Sequence, residues 1–510
     1  MTMTSLVEKP DLVVGVVGTG TMGRGIIQVT AAGGIPVMIY DSKTGAAEDA
    51  RTFVSTMLQR LAEKQKMTPD DAKAATDRIT IAKELKDLAA CDIIVEVIVE
   101  KLDAKQALFG ELEKIVRPDA ILASNTSSLS ITSIASRCQH PERIGGLHFF
   151  NPVPLMKLVE VIGGARTAPW VIENLTNLGK RMTRQPVVVA DSPGFLVNHI
   201  GRAFVPESLR ILDEGIASPS QIDDIMRDAA GFRMGPFQLF DMVGADVAHP
   251  VMESLYDQFY QEPMYRPSPT ARRLVEAGML GRKTGAGFYR YQDGNADVPA
   301  EPARPAPGEK VAVWLGGMDQ NSASTLRTLL TNATIESGEK PSDTALCVIA
   351  PIGKDLASAI ASEQLDPSRT IAIDPLFGLD KRCTIMTSPA TTPRYREAAL
   401  AMFDAGHPVT VINDSPGFVA QRIAAMIVNV GCTIAQLGIS PPADIDLGAR
   451  LGLGYALGPL ELGDRLGPGR VLTILDALYA FYHEPRYRAS PWLRRRANLG
   501  LSLRAPEQMA

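Results

Sequence analysis

A strand, a glycine-rich turn and a helix follow one another at the start of the chain, and this order restricts the fold more than any other feature. Leu12 to Val17 is a short, β-branched, apolar run typical of a buried parallel strand. The turn Gly18-Thr19-Gly20-Thr21-Met22-Gly23 comes next, and a helical pattern begins behind it. In such a turn the first glycine permits the tight bend, the second lets the backbone approach a pyrophosphate, and the third allows close helix–strand packing. The pattern predicts a dinucleotide-binding α/β domain, with the helix N-terminus facing the phosphates.

An acidic residue at the end of the predicted second strand indicates which dinucleotide binds. Val37 to Tyr40 has the pattern of that strand, and Asp41 ends it, eighteen residues after Gly23. A carboxylate at this place accepts hydrogen bonds from both ribose hydroxyls and repels a 2′-phosphate. The sequence therefore favours NAD over NADP. The alternative is that Asp41 only caps the next helix.

A histidine and a carboxylate twelve positions apart supply the candidate proton chemistry. His148 precedes two aromatic residues and an Asn-Pro pair, and Glu160 lies inside an apolar, strand-like run. A buried carboxylate is costly without a partner, and His148 is the natural one. The pair can take a proton from an alcohol, because Glu160 would fix the imidazole tautomer and stabilise the imidazolium. A hydroxyl-rich turn from Ser124 to Ser128 lies upstream. The alternative is a purely structural histidine.

Taken together, these motifs resemble the 3-hydroxyacyl-CoA dehydrogenase family across residues 11 to 291. Further segments that carry the resemblance are Glu96–Glu100, Ser124–Leu129, Asp191–Phe195, Asn198, Met234–Pro236 and Gly281–Gly285. The resemblance implies a Rossmann-type NAD-binding domain over residues 1–189 and an all-α substrate and dimerisation domain over residues 190–294. It also implies the reversible NAD-dependent oxidation of an (S)-3-hydroxyacyl-CoA to a 3-ketoacyl-CoA.

The resemblance assigns a role to each matching position. His148 would be the general base and Glu160 its partner, while Ser127 and Asn198 would hydrogen-bond the reacting oxygen and position the thioester. The residues expected to contact NAD are Gly18, Gly20, Thr21, Met22, Gly23, Asp41, Glu100, Lys105, Asn151 and Lys283. Lys64 matches a lysine that contacts coenzyme A, although its alternating-charge surroundings fit a solvated helix face equally well.

An internal repeat explains the length of the chain. Asp191-Ser192-Pro193-Gly194-Phe195 returns as Asp414-Ser415-Pro416-Gly417-Phe418, an offset of 223 residues. The same offset relates four more features: Gly215 to Gly438, Ile222-Asp223 to Ile445-Asp446, Gly235-Pro236 to Gly458-Pro459, and Asp241 to Asp464. Prolines clustered between Pro299 and Pro307 indicate an extended linker. The predicted order is therefore a linker over 295–308, a shortened, degenerate Rossmann-like α/β unit over 309–411, and a second, non-catalytic copy of the all-α domain over 412–510.

The second copy lacks the residues of the predicted chemistry. Val311 to Gly317 resembles a first strand and turn without the glycine motif, and Asp374-Pro375 falls where Asn151-Pro152 would map. The other mapped positions are Cys383 for Glu160 and Gln421 for Asn198. We therefore expect one active site per chain. The second half is expected to act as the partner in an intramolecular pseudo-dimer; a vestigial tail is the alternative, and a further homo-oligomer is left open.

Composition narrows the class of protein and its partners. The chain is 45% hydrophobic and 21% charged, which is ordinary for a globular enzyme. No apolar run is long enough to span a bilayer, and no signal-peptide pattern opens the chain. Five scattered cysteines without metal-ligand spacing predict no metal site and a reducing cytoplasm. A net charge of −5 argues against nucleic acid, so the expected partner is an acyl-CoA thioester.

Three functions stay open at this stage. The duplicated architecture resembles the long bacterial form of the family associated with phenylacetate breakdown, which would make 3-hydroxyadipyl-CoA the substrate. The first alternative is a 3-hydroxybutyryl-CoA or general β-oxidation enzyme. The second, from another class, is a non-catalytic NAD- or acyl-CoA-binding protein. Retention of His148, Glu160, Ser127 and Asn198 argues against this last possibility.

Overall fold

Apolar strands alternate with amphipathic helices along the first 200 residues and build one large sheet. The computed structural model describes residues 6–301, 303, 311–330, 332–404 and 406–507. The chain divides into two compact units. The first unit contains the chain up to His199 together with Leu437–Gly454, and the second contains Ile200–Gln436 and the chain from Tyr455 onward.

The large sheet of the first unit contains eight strands and is flanked by helices. Its elements are β1 (Val14–Val17), α1 (Thr21–Ala32), β2 (Val37–Tyr40), α2 (Ala46–Glu63), α3 (Pro69–Asp77), β3 (Ile79–Ile81), β4 (Ile93–Glu96), α4 (Leu102–Ile115), β5 (Ile121–Ser124), α5 (Ile131–Ala135), β6 (Ile144–Phe149), β7 (Leu158–Gly163), α6 (Pro169–Arg181), β8 (Gln185–Ala190) and α7 (Val197–Ile200).

The strand order of this sheet is β3-β2-β1-β4-β5-β6-β7-β8. Pairing is parallel from β3 to β6, antiparallel between β6 and β7, and parallel again between β7 and β8. Every residue of β1, β4, β5 and β6 is buried, as expected for strands covered on both faces. The carboxyl ends of the six parallel strands β1 to β6 therefore meet at one edge, where α/β sheets bind ligands.

The second unit begins with a helical region. Its elements are α8 (Phe204–Asp213), α9 (Pro219–Asp224), a π-helical turn (Ile225–Ala229), α10 (Pro236–Val243), α11 (Ala245–Gln258), α12 (Pro269–Glu276), β9 (Arg290–Gln292) and β10 (Asn295–Asp297). The last two strands form an antiparallel hairpin. β10 lies inside the segment predicted as a linker, whereas residues 302 and 304–308 of that segment lie outside the described residues.

A second, smaller sheet follows in the same unit. Its elements are β11 (Val311–Gly316), α13 (Gln320–Leu329), β12 (Ala333–Ile335), β13 (Leu346–Ile349), α14 (Leu356–Glu363), β14 (Thr370–Ile373), β15 (Cys383–Thr387), α15 (Pro393–Ala401) and β16 (Val409–Asn413). The strand order is β12-β11-β13-β14-β15-β16, and only the β14–β15 pair is antiparallel. The antiparallel pair next to the last strand repeats the arrangement of the first sheet.

The chain ends in a second set of helices: α16 (Ala420–Gln436), α17 (Pro442–Gly452), α18 (Pro459–Leu466), α19 (Pro468–Tyr482) and α20 (Pro491–Leu499). Of these, α17 belongs to the first unit. Among the described residues, none of the helices is long and apolar enough to cross a membrane. The predicted fold class, a Rossmann-type domain and helical domain followed by a smaller α/β unit and further helices, is confirmed, whereas the individual domain boundaries stay predictions.

Strand pairing corrects one detail of the predicted repeat. In the first sheet, Glu160 pairs with Val187, which lies four positions before Asp191. In the second sheet, Thr384 pairs with Thr410, which lies four positions before Asp414. Since the two aspartates are equivalent in the repeat, Thr384 is the structural counterpart of Glu160, and the predicted counterpart Cys383 is wrong by one position.

The same pairing moves a second counterpart. His148 lies directly opposite Glu160 on the neighbouring antiparallel strand. The backbone N–H of Asp374 donates to the carbonyl oxygen of Thr384 over 3.1 Å, which continues the antiparallel β14–β15 pairing. Asp374 therefore takes the place of His148, and its predicted match to Asn151 is wrong, because the sequence offered no register.

Candidate active site

The glycine turn between β1 and α1 has the geometry of a phosphate-binding loop. Gly18 has φ of +100°, a conformation that side chains rarely adopt, and an added Cβ would lie 2.6 Å from the carbonyl oxygen of Val97. A Cβ on Gly23 would lie 2.0 Å from the carbonyl oxygen of Gly18. A Cβ on Gly20 would meet no atom within 4 Å. Two of the glycines are therefore required by packing, and Gly20 leaves its backbone open to a ligand.

Asp41 lies directly after β2 and faces this turn. Its Oδ2 accepts hydrogen bonds from the backbone N–H and the hydroxyl of Thr19, both at 2.8 Å, and its Oδ1 accepts from the N–H of Lys43. Burial tends to raise the pKa of Asp41, but the hydrogen bonds from Lys43 and Thr19 outweigh it and lower that pKa. The carboxylate is thus ionised and fixed beside the turn, so the site fits a dinucleotide with free ribose hydroxyls.

A buried lysine stands at the end of the next strand. The ammonium of Lys105, on α4, is 2.6 Å from Glu96 at the end of β4 and 3.3 Å from Glu100. The side chains of Lys105 and Glu96 are 1% and 0% exposed. Glu96 also accepts from the hydroxyl of Ser124 at 2.6 Å. Glu96 thus links the lysine on α4 to the end of β5, and it is a partner of Lys105 that the sequence reasoning missed.

Glu100 accepts several hydrogen bonds from the hydroxyl-rich turn that follows β5. Its Oε1 accepts from the hydroxyl of Thr126 at 2.7 Å and from the backbone N–H groups of Ser127 and Ser128 at 2.9 and 3.1 Å. Burial would raise the pKa of Glu100, yet these hydrogen bonds and the charge of Lys105 lower it. The turn is therefore held by an ionised carboxylate. The hydroxyl of Ser127, exposed at its tip, is 3.3 Å from the same oxygen.

His148 and Glu160 form a buried pair, as their spacing predicted. They face each other across β6 and β7, and Nδ1 of His148 lies 2.6 Å from Oε2 of Glu160. The two side chains are only 7% and 1% exposed. The ring of His148 also packs against Phe150 and Phe195. Because Nδ1 is engaged by the carboxylate, Nε2 is the nitrogen that is left to accept a proton.

Glu160 binds a third element at the same time. Its Oε1 accepts from the backbone N–H groups of Leu196 and Val197 at 3.0 and 2.9 Å. These amides begin α7, which carries the half-buried Asn198. One buried carboxylate thus fixes both the histidine and the helix with Asn198, and the structure brings three of the four predicted catalytic residues together.

Three predicted residues lie apart from these contacts. Asn151 is exposed in the turn after β6, and Lys64 is exposed at the C-terminal end of α2. Lys283 lies in the second unit, where its ammonium forms an ion pair with Asp246. Thr21 and Met22 occupy the first turn of α1, as expected. Contact of these five residues with NAD or coenzyme A stays a prediction.

Family models match nearly all of the sequence that the motifs cover. The model for the NAD-binding domain of 3-hydroxyacyl-CoA dehydrogenase matches residues 13–192. The model for the C-terminal domain of the same enzymes matches twice, over residues 194–291 and 417–508. The second match confirms that the helical domain is duplicated.

Similar proteins include enzymes of both lengths. The 3-hydroxyadipyl-CoA dehydrogenase of Escherichia coli is 35% identical over 95% of this chain and 97% of its own. A probable 3-hydroxybutyryl-CoA dehydrogenase of Deinococcus radiodurans is 42% identical over 54% of this chain and 99% of its own. A crystal structure of 3-hydroxybutyryl-CoA dehydrogenase from Escherichia coli matches with a TM-score of 0.83 at 34% identity, covering 96% of this chain and 99% of that one. The chain therefore belongs to the 3-hydroxyacyl-CoA dehydrogenase family.

Proposed function

We propose that the protein oxidises (S)-3-hydroxyacyl-CoA thioesters to 3-ketoacyl-CoA with NAD. The observation that carries the proposal is the buried His148–Glu160 pair at 2.6 Å, in the same unit as the glycine turn and Asp41. A dinucleotide site supports redox chemistry, and an imidazole held by a carboxylate supports proton removal from an alcohol. Bound NAD would supply the acceptor for the hydride.

The residues present divide the work of this reaction. Nε2 of His148 takes the proton of the substrate 3-hydroxyl, and Glu160 balances the positive charge that forms on the ring. Asn198 is proposed to hydrogen-bond the reacting oxygen, and the support is that Glu160 holds the backbone amides of the two residues before it. Ser127, held through its backbone by Glu100, is proposed as the second donor to that oxygen or to the thioester.

The non-catalytic alternative predicts a different use of these groups. A protein that only binds NAD and acyl-CoA has no need for an imidazole whose second nitrogen is left for proton transfer. The second copy illustrates the loss, because Asp374 and Thr384 stand where His148 and Glu160 stand in the first. The retained pair in the first copy favours an enzyme.

For the substrate, we propose 3-hydroxyadipyl-CoA. The supporting observation is that the 3-hydroxyadipyl-CoA dehydrogenase of Escherichia coli matches over 95% of this chain, including its second half. 3-Hydroxybutyryl-CoA is the second candidate, since enzymes with that name match the first half alone and, in one crystal structure, almost the full length.

Initial rates of NADH formation with (S)-3-hydroxyadipyl-CoA and (S)-3-hydroxybutyryl-CoA, measured side by side, test both proposals. We expect a higher kcat/KM for the adipyl ester. A higher value for the butyryl ester would contradict the substrate and keep the reaction. Absence of turnover with both esters, in protein that binds NAD, would overturn the enzymatic function.

We further propose that the second half takes the place of a partner subunit. The first support is a reciprocal pair of backbone hydrogen bonds. In the first unit, the N–H of Ala190 donates to the carbonyl oxygen of Ile439 at 2.8 Å. In the second unit, the N–H of Asn413 donates to the carbonyl oxygen of Ile216 at 3.0 Å. The repeat offset of 223 converts one pair into the other with the roles of the two copies exchanged.

A second pair of contacts follows the same rule. Asp444 on α17 accepts from the N–H of Val188 on β8 at 3.1 Å. Gln221 on α9 donates to the carbonyl oxygen of Val411 on β16 at 3.0 Å. Each sheet is thus covered by a helix of the other copy. Residues that contact each other with exchanged roles are the signature of an isologous interface, so the duplicated chain supports a pseudo-dimer.

Light scattering of the full-length protein tests this arrangement, and the expected mass is that of one 54.8-kDa chain. A homodimer would favour the homo-oligomer that the sequence left open.

We also propose a cytoplasmic location. The support is that all five cysteines are free thiols and four of them are buried, which is typical of a reducing compartment.

A further inference from the structure

A cavity of about 350 Å³ opens in the second unit, outside the site described above. Its walls come from the loop after β14, the end of the π-helical turn, and α18 with the segment before it. This volume lies in the range of small-molecule binding sites. The side chains that matter below are Phe232, Phe377, Asp380, Lys381, Leu462 and Arg465.

The cavity has two walls that the repeat relates to the first copy. Its first wall begins three residues after Asp374, the structural counterpart of His148. By the repeat offset, Leu462 and Arg465 on α18 correspond to Leu239 and Met242 on α10. The first wall of this second cleft therefore follows the position equivalent to His148, and its other wall is the copy of α10.

The polar side chains at the position equivalent to His148 bind one another. Gln421, the counterpart of Asn198, is fully buried. Its Oε1 accepts from the N–H of Gly353 at 2.8 Å, and its Nε2 donates to Asp374 at 3.0 Å and to the carbonyl oxygen of Pro351 at 3.2 Å. Thr384 cannot act as a counter-charge for a histidine. Asp374 and Thr384 therefore do not repeat the imidazole–carboxylate pair of the first copy, and no conversion of a bound compound is expected here.

The dinucleotide turn of the second copy is closed. A Cβ on Gly316 would lie 2.0 Å from the indole of Trp314, which therefore lies against the turn after β11. Asp319 caps α13 and accepts from the N–H of Ser322 at 2.9 Å. A carboxylate at this helix N-terminus occupies the donors that phosphates use and repels them. The turn after β11 thus does not offer a dinucleotide-binding site.

The lining indicates what kind of molecule fits. Phe232, Phe377 and Leu462 supply apolar walls, and the exposed cations Lys381 and Arg465 supply positive charge, with Asp380 as the one acid among the lining residues. In the described part of the chain, neither cation forms an ion pair with a carboxylate. Arg465 also replaces Met242, an exposed apolar residue in the first copy. The lining suits an aliphatic chain that ends in an anionic group.

We propose that the second cleft binds an aliphatic acyl compound whose anionic group contacts Lys381 and Arg465, without converting it. This inference rests on the proposed function, which makes acyl thioesters the molecules that the protein meets. The anion could belong to a free carboxylate or to a coenzyme A ester, and the measurement below distinguishes the two.

Equilibrium dialysis of the full-length protein with NAD and hexanoyl-CoA tests the proposal, since this ester lacks the 3-hydroxyl and cannot be oxidised. We expect two equivalents per chain in the wild type and one in Lys381→Glu/Arg465→Glu, with kcat/KM for the hydroxyacyl substrate unchanged. Lys340→Glu, which changes an exposed lysine elsewhere in the second unit, should keep two equivalents. Adipate that displaces the second equivalent alone would assign the cleft to free carboxylates.

A cavity-filling variant separates loss of charge from loss of the site. Ala456→Trp changes no charge and should also reduce hexanoyl-CoA binding to one equivalent, because Ala456 lines the cavity. One equivalent of hexanoyl-CoA together with no bound adipate in the wild type, or two equivalents of hexanoyl-CoA in both variants, would overturn the proposal while leaving turnover intact. Absent turnover together with a second equivalent that depends on Lys381 would instead contradict only the proposed function.

Discussion

At the residue scale, Glu160 organises the site because it satisfies three donors at once. It holds Nδ1 of His148 and the first two amides of α7, and it is 1% exposed. A carboxylate in this position keeps the histidine in one tautomer, in which Nε2 is the nitrogen that accepts the proton. Burial excludes water from the pair, which strengthens the interaction of Glu160 with the imidazolium formed during turnover.

Replacing His148 by Gln should remove the proton acceptor and leave the fold. We expect kcat to fall by a factor on the order of 10² to 10⁴, since a general base contributes that much. NAD affinity, measured by fluorescence titration, should stay close to that of the wild type because the glycine turn and Asp41 are unchanged. His140→Gln, at an exposed histidine of the same unit, is the matched control and should retain full activity. Equal kcat in the two variants would contradict the role of His148.

In the second copy, the position equivalent to His148 is occupied by Asp374, a buried carboxyl group. Burial raises its pKa to about 6, although hydrogen bonds from Gln421 and from the N–H of Leu376 act against this rise. The folded protein therefore binds this proton more tightly than the unfolded chain does, whose pKa is 3.8. Asp374 therefore makes its full contribution to the free energy of unfolding below pH 3.8. This contribution is lost as the pH rises through about 6.

Asp374→Asn should accordingly stabilise the protein most at alkaline pH. The amide keeps an acceptor for Gln421 and carries no charge to bury. We expect the free energy of unfolding to rise by about 1–3 kcal/mol at pH 8 and by less at pH 5.5, measured by urea denaturation. Asp380→Asn, at an exposed acid six residues later, should show no such dependence. A gain of the same size at both pH values would exclude the titration of Asp374 as its cause.

At the scale of elements, the sequence predicted the strands and turns that carry a local signal. The glycine turn, Asp41 after β2 and the His148–Glu160 pair were all accessible, because spacing and burial constrain them. The ion pair between Lys105 and Glu96 was not, since it joins a helix and a strand whose side-chain directions depend on packing. The strand pairing that places Thr384 opposite the position of His148 was also hidden, because register is a tertiary property.

The glycine turn allows packing and binding to be separated in two variants. Gly23→Ala should cost about 1–3 kcal/mol of stability and abolish NAD binding, because its Cβ would clash with the Gly18 carbonyl. Gly20→Ala has room for its Cβ and should change stability by less than about 1 kcal/mol. It should nevertheless raise KM for NAD. Gly110→Ala on α4, also without neighbours within 4 Å, is the control for both measurements. Unchanged NAD affinity in Gly20→Ala would show that this backbone does not approach the cofactor.

At the scale of the whole molecule, a buried ionic cluster joins the two helical copies inside the second unit. Arg422 on α16 and Arg486 bind Glu207 on α8 at 2.8 and 3.0 Å, and all three side chains are at most 1% exposed. Burial would raise the pKa of Glu207, but the charges of Arg486 and Arg422 lower it, so the carboxylate stays ionised. The repeat does not duplicate the pair of Glu207 and Arg422. The offset of 223 maps Arg422 of the second copy onto His199 of the first, which is not an arginine.

This asymmetry favours pairing of the first copy with the second over pairing of two first copies. In a self-paired first half, Glu207 would face His199 instead of an arginine. An unpaired buried charge costs several kcal/mol, so the cluster would act as a specificity device for the tethered partner. Pairing of two first copies is therefore opposed by the charge of Glu207.

Arg422→Met tests the cluster in the full-length protein. Removing the arginine leaves Glu207 with fewer compensating charges, and we expect the free energy of unfolding to fall by about 3–5 kcal/mol. Arg494→Met is the matched control: the same substitution removes an ion pair with Asp476 whose side chains are both 46% exposed, and it should cost no more than about 1 kcal/mol. The triple change Glu207→Met/Arg422→Met/Arg486→Met removes every charge of the cluster and should recover most of the loss. If thermal and urea unfolding show equal losses for Arg422→Met and Arg494→Met, burial does not set the strength of the cluster. If only the triple variant dimerises, the charges act mainly to select the partner.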